Sequence, residues 1–225
     1  MTGKGIITGK VQPTGKVALK DFQFDLQGSQ LPIQAIAPDH QANLPKFAVS
    51  GQSQISGQWG QAQSVKAIAN LEIPIANGTV RTQNLTYQSG NWRGKVQVSG
   101  VNLAHLSLPV QPRFRQGSLS GDFTVQGKNH DFNQLQILGQ ATLASAGGMI
   151  RAKQFSLIQK QWQAHLVTDN LNLRRILPRF ASSNITGQAL LTGSLDKPLD
   201  QLQGKGQITV HLPQGQIRAT QVSFH

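Results

Sequence analysis

GTVRTQNLTY (Gly78–Tyr87) is followed by two near copies of itself, GMIRAKQFSL (Gly148–Leu157) and GQIRATQVSF (Gly215–Phe224), and is preceded by a looser one, GKVALKDFQF (Gly15–Phe24). The copies start at nearly even intervals along the chain. Each opens on Gly, has an apolar residue two places on, and carries further apolar residues at its eighth and tenth places. These are Val17, Phe22 and Phe24; Val80, Leu85 and Tyr87; Ile150, Phe155 and Leu157; Ile217, Val222 and Phe224. Three copies hold an arginine at the fourth place: Arg81, Arg151 and Arg218. Other landmarks keep the step. Trp92 recurs as Trp162, and a Gly-x5-Gly segment recurs at Gly51/Gly57, Gly121/Gly127 and Gly187/Gly193. Repetition of this kind marks supersecondary units that bury their apolar faces by stacking on one another. We divide the chain as one continuous segment, 1–225, with approximate repeats 15–77, 78–147 and 148–214 and a fourth starting at 215.

Within a repeat the apolar period is two, the signature of strands. Trp92, Gly94, Val96 and Val98 alternate with polar residues, as do Leu119, Gly121, Phe123 and Val125. Val65, Ala67, Ala69, Leu71, Ile73 and Ile75 form the longest run, echoed by Ile208, Val210 and Leu212. Each run therefore has one apolar and one polar face. From Val80 to Leu85 the step is odd, which would turn the later residues to the wrong face unless an extra residue is absorbed. The sequence thus predicts a bulge or break near Gln83, Gln154 and Gln221. Roughly four strands per repeat make about 13 to 15 in all, and an antiparallel sheet of that width has to curl.

The expected fold is all-β: an elongated, curled antiparallel sheet, a β-taco whose apolar concave face lines a groove roughly 60 to 70 Å long. The residues expected to line it are Leu71, Ile73, Ile75, Val80, Leu85, Tyr87, Trp92, Val96, Val98, Phe123, Val125, Ile150, Phe155, Leu157, Trp162, Leu166, Leu191, Ile208, Val210 and Ile217. Trp92 and Trp162 either contact a ligand there or fill the curl. Arg81, Arg151 and Arg218 either meet lipid head groups along a rim, or pair across strands or are simply solvated. VNLAHLSLPV (from Val101) and LNLRRILPRF (Leu171–Phe180) occupy equivalent places and predict a short helix or turn.

Composition agrees with a one-sided core. Hydrophobic residues are 38% and charged residues 13%, about half the usual charged share. With no cysteine, disulfides and thiolate chemistry are excluded. The net charge of +12 favours an acidic partner, anionic lipid head groups or nucleic acid, or else serves solubility. No stretch approaches the roughly 20 apolar residues of a spanning helix. Both termini stand in mid-pattern, so any targeting segment or anchor is expected outside this segment. Catalysis needs convergent acids, bases or nucleophiles. The chain has a single Glu, Glu72, between apolar neighbours; Asp196 and Asp200 flank a Lys-Pro turn. Its histidines, His40, His105, His130, His165, His211 and His225, lack ligand spacing. No enzyme activity, metal or cofactor is expected.

The order DNLNLRRILPRF, SSNITGQALLTGSLDKPLDQLQGKGQITV and GQIRATQVSF resembles the TamB and AsmA-like group of envelope proteins. Its counterpart one repeat earlier is SGVNLAHLSLPV, GSLSGDFTVQG and GQATL, leading into GGMIRAKQFSL. The Gln-rich, basic style is similar to cyanobacterial TamB-like proteins and their chloroplast relatives. The resemblance implies a taco-shaped groove, an inner-membrane anchor outside this segment, a body crossing the periplasm, and an outer-membrane barrel partner of the Omp85 type. It also implies a role in moving phospholipid to the outer membrane, or in outer-membrane protein assembly or translocation. A groove for phospholipid acyl chains is the leading expectation, and a scaffold acting through β-strand or groove contacts is the alternative. Nucleic acid is not expected as a partner, because basic residues are spread along strands without paired stacking aromatics. Unpaired terminal edges make an edge-to-edge dimer of the isolated segment an open option.

Overall fold

The computed structural model describes residues 2–11, 17–32, 48–106, 117–129, 131–145, 147–176, 183–196 and 203–224. They form thirteen strands: β1 (Thr2–Val11), β2 (Val17–Pro32), β3 (Ala48–Gln58), β4 (Gln61–Ile75), β5 (Gly78–Gln88), β6 (Asn91–Asn102), β7 (Ser118–Lys128), β8 (Asp131–Ser145), β9 (Gly148–Ile158), β10 (Gln161–Asn172), β11 (Asn184–Ser194), β12 (Gln203–Leu212) and β13 (Gly215–Phe224). A 3-10 turn, Leu103–His105, follows β6, and the one-turn helix α1, Leu173–Ile176, follows β10. These stand where the two equivalent Leu-rich segments predict them. Asn102 caps the first, its Oδ1 accepting the Ala104 amide at 3.0 Å. The far ends of both segments, 107–110 and 177–180, lie outside the described residues, as do Gly15, His40, His130, Asp200 and His225.

All thirteen strands belong to one antiparallel sheet in strict sequence order, and β1 and β13 do not close on each other. Among the described residues each strand packs substantially only on its sequence neighbours. Close antiparallel neighbours need only tight turns. Ala76-Asn77, Ser89-Gly90 and Gln159-Lys160 supply them, both residues of each pair having positive φ, as type I′ turns require. Ala76, at φ 48°, carries a β-carbon in a conformation that costs about 1 kcal/mol or more outside glycine. Ala76→Gly is therefore expected to raise stability by about 0.5 kcal/mol, the relief of strain exceeding the added chain entropy. A rise in the urea midpoint is the readout.

The two ends of the strands differ. The three longest connections, after β2, β6 and β10, leave from one end, the connection end. The other, the turn end, carries the turns at 59–60, 89–90 and 159–160.

The odd steps in the repeated motif are absorbed as the sequence predicts. Pairing of β5 with β6 slips between Gln83 and Thr86. Ala141 pairs Ala152 and Gly139 pairs Phe155, which leaves two residues of β9 opposite one of β8. The same surplus occurs in β13 between Ala219 and Val222. Where β4 and β5 slip past each other, the displaced backbone amides find side chains: Asn84 N donates to Asn70 Oδ1 at 2.8 Å, and Leu71 N to Thr82 Oγ1 at 2.9 Å.

The strand order also reassigns one landmark. The boundaries at 78, 148 and 215 are the first residues of β5, β9 and β13. The run Val17–Phe24, matched to them by sequence, lies instead on β2, which corresponds by order to β6 and β10. Phe22, Trp92 and Trp162 are then equivalent at one constant step along the chain, and the same step relates Gln30, Gly100 and Asn170. These last three adopt left-handed φ beside a second set of bulges, in β2, β6 and β10. Gln30 N donates to Ser50 Oγ at 2.9 Å, and in the next repeat Gly100 N donates to Ser120 Oγ at 3.0 Å.

Candidate functional site

Directly opposed residues of antiparallel strands share a face. Followed through the register, Ile73, Val80, Val98, Gly121, Ala141, Ala152, Leu166, Ala189, Gly206 and Val222 form one row across ten strands. A parallel row runs Phe24, Ile55, Ala67, Tyr87, Trp92 and Gly127. The same bookkeeping places every residue named above as groove-lining on this one apolar face. Along β4 exposure alternates without a break from Val65 to Ile75, the apolar side half-buried and the polar side exposed. Two hydroxyls on the apolar face, those of Thr82 and Thr168, bond to neighbouring backbone, Thr168 Oγ1 donating to Gly187 O at 3.4 Å.

The recurring glycines fit the rings and backbones of this face. Trp92 opposes Gly127 and Trp162 opposes Gly193. A β-carbon at Gly127 would lie 2.5 Å from Trp92 Cζ2, and one at Gly193 2.7 Å from Trp162 Cζ2. Phe22 stands in the same relation to Gly57, at 2.9 Å. The first glycine of each segment meets backbone instead. A β-carbon at Gly121 would lie 2.5 Å from Gln140 O, and one at Gly187 2.5 Å from Gln207 O; at Gly51 it would strike Asn70 O.

The charged residues of the regularly paired strand positions lie on the opposite, polar face. Arg81 donates to Glu72 at 3.0 Å, Arg151 stands 3.8 Å from Asp169, and Lys160 in its turn stands 3.1 Å from Asp196. The cross-strand alternative therefore describes Arg81 and Arg151; Arg218 faces Thr209. His165 and His211 are on this face too, His211 Nε2 lying 3.2 Å from Thr186 Oγ1. Asp131 accepts the Asn133 amide and Gln134 Nε2, each at 2.9 Å, and these bonds hold its carboxyl below the ordinary range. The stabilisation this gives is present at neutral pH and is lost as acid protonates the group.

Hollows of the described surface lie on the polar side. One of them, about 1060 Å³, is lined by Lys66, Arg93 and Lys128 together with carboxamides such as Gln126 and Gln136, and also by Tyr87 and Trp92. A twisted sheet is a saddle, hollow along one diagonal on each face, so a polar-side hollow does not fix the curvature of the apolar side. Among the described residues no three His, Asp or Glu side chains gather as metal ligands. No helix among them is long and apolar enough to cross a membrane. No protein-family model, curated protein or solved structure matches this chain.

What remains is the apolar face itself. A compact 24.3 kDa monomer exposes roughly 10,000 Å², whereas this chain exposes 15455 Å². Only Val49, Val101, Leu157, Ala164 and Leu171 are buried apolar residues among those described. Among the described residues no second layer covers the apolar side of the sheet.

Proposed function

We propose that the apolar face curls inward as a groove for lipid acyl chains. On this reading the chain is a segment of a TamB-like, AsmA-like envelope protein, anchored in the inner membrane and crossing the periplasm. The observation that carries it is the register: successive strands of a single thirteen-stranded sheet put their apolar side chains on one and the same side. The pattern of exposure supports it, since the apolar side chains of β4 are sheltered although no second layer lies upon them among the described residues. An acyl chain gains about 0.8 kcal/mol per CH₂ removed from water. A floor of near-constant chemistry makes that gain similar at every point along it, so a chain slides with low barriers and no catalysis is required. Phospholipid extracted from the purified chain and counted by mass spectrometry is expected near or above one molecule per chain. Recovery no greater than from a soluble β-protein purified alongside would remove the reading.

A further inference from the structure

The apolar face is graded from one end of the strands to the other. At the connection end it finishes in buried aliphatics, Val49, Val101 and Leu171, each no more than 5% exposed. At the turn end the rings collect, with the equally buried Leu157 among them opposite Trp162. Trp92 and Trp162 are the second residues of β6 and β10, each beside its two-residue turn. Trp59 lies in the turn after β3, edge-on to Phe22 with centroids 6.2 Å apart. Tyr87 pairs with Trp92 and is 39% exposed. All three tryptophans and the one tyrosine of the chain thus line a single rim. Trp92 keeps its polar tip satisfied at the very edge, Nε1 donating to Asn129 O at 3.2 Å.

Tryptophan and tyrosine have an apolar body and a polar tip, and they settle where an apolar medium gives way to a wet one. A bound amphiphile has one such boundary, between its acyl chains and its head group. Placed with its glycerol at the ring-lined rim, a lipid meets indoles and a phenol there, and its chains run onto aliphatic side chains. Placed the other way, it sets polar groups against the buried aliphatics Val101 and Leu171.

We propose that phospholipid head groups travel along the turn-end rim marked by Tyr87, Trp92 and Trp162, with acyl chains directed toward the connection end. The inference rests on the acyl-chain reading above and adds an orientation to it.

The test uses the complete chain with Trp92 as its one tryptophan (Trp59→Phe, Trp162→Phe) and phosphatidylcholine brominated either next to the glycerol or next to the terminal methyl. Quenching of Trp92 is expected to be at least twofold stronger with bromine next to the glycerol. A second reporter, Val80→Trp with the three native tryptophans replaced by Phe, is expected to show the reverse order. Equal or opposite quenching of Trp92 would overturn the orientation while leaving acyl chains on the face. An absence of quenching with either label at either reporter would overturn both the orientation and the acyl-chain reading. If the Val80→Trp variant does not fold, judged by circular dichroism, the ratio at Trp92 decides alone.

Discussion

Gly121→Val is expected to separate β7 from β8 locally, at a cost of about 2 to 3 kcal/mol. The added β-carbon would begin 2.5 Å from Gln140 O, a backbone atom already committed to the ladder, so the strands must part to admit it. Gly127→Val differs in mechanism. Its obstacle is the Trp92 ring, which can swing out if its bond to Asn129 is given up. Adding Trp92→Ala to Gly127→Val is therefore expected to recover at least half of the lost stability, whereas adding it to Gly121→Val recovers none. Hydrogen exchange is the suitable measurement, because a chain whose strands touch only their neighbours loses structure unit by unit. Protection should fall in β7 and β8 and persist in β2 and β3. A uniform loss along the chain would refute the local account, and so would protection of β7 that Gly121→Val leaves unchanged.

These two kinds of glycine explain what is legible in the sequence. Spacing alone identifies the Gly-x5-Gly segment as a landmark, because both of its glycines face a close neighbour in every repeat. It does not distinguish the glycine under a ring from the glycine under a carbonyl, since that difference lies in which neighbour approaches, and neighbours are set by register. The face assignment is legible for a similar reason. A period of two leaves no freedom about which side chains travel together, and the odd step from Val80 to Leu85 requires the bulge that keeps both on one side.

Two features are not legible in the same way. The bulges at Gln30, Gly100 and Asn170 leave a signal, the odd step from Val98 to Val101, but Gln, Gly and Asn share no side-chain chemistry that would announce a left-handed backbone at all three places. The run Val17–Phe24 matches the wrong strand of the repeat by sequence, because adjacent strands share the same alternation. Phe22 at the Trp92 position, one repeat earlier and opposite Gly57, is what resolves it. Curvature is a third matter. It depends on how twist and bulges accumulate over thirteen strands, and no single residue encodes that sum.

Val96→Asp together with Ile73→Asp is expected to lower lipid loading and to block lipid transfer, whereas Thr124→Asp together with Gln52→Asp is expected to leave both intact. Both pairs add the same charge to central strands of the same sheet, but the first sits on the apolar face and the second on the polar one. An acyl chain lying over a carboxylate has to strip water from it, at a cost of several kcal/mol. At about 0.8 kcal/mol per CH₂, one such charge cancels the gain from about five methylenes, so two of them interrupt the floor. A barrier of about 4 kcal/mol slows passage roughly a thousandfold, since each increment of about 1.4 kcal/mol is a factor of ten. Transfer between donor and acceptor vesicles should therefore fall further than equilibrium loading does, because a chain can still rest on the floor between the charges but cannot pass them. Equal losses from the two pairs would mean that net charge, rather than the apolar face, governs binding. Undiminished loading and transfer in the first pair would place the lipid elsewhere on the molecule.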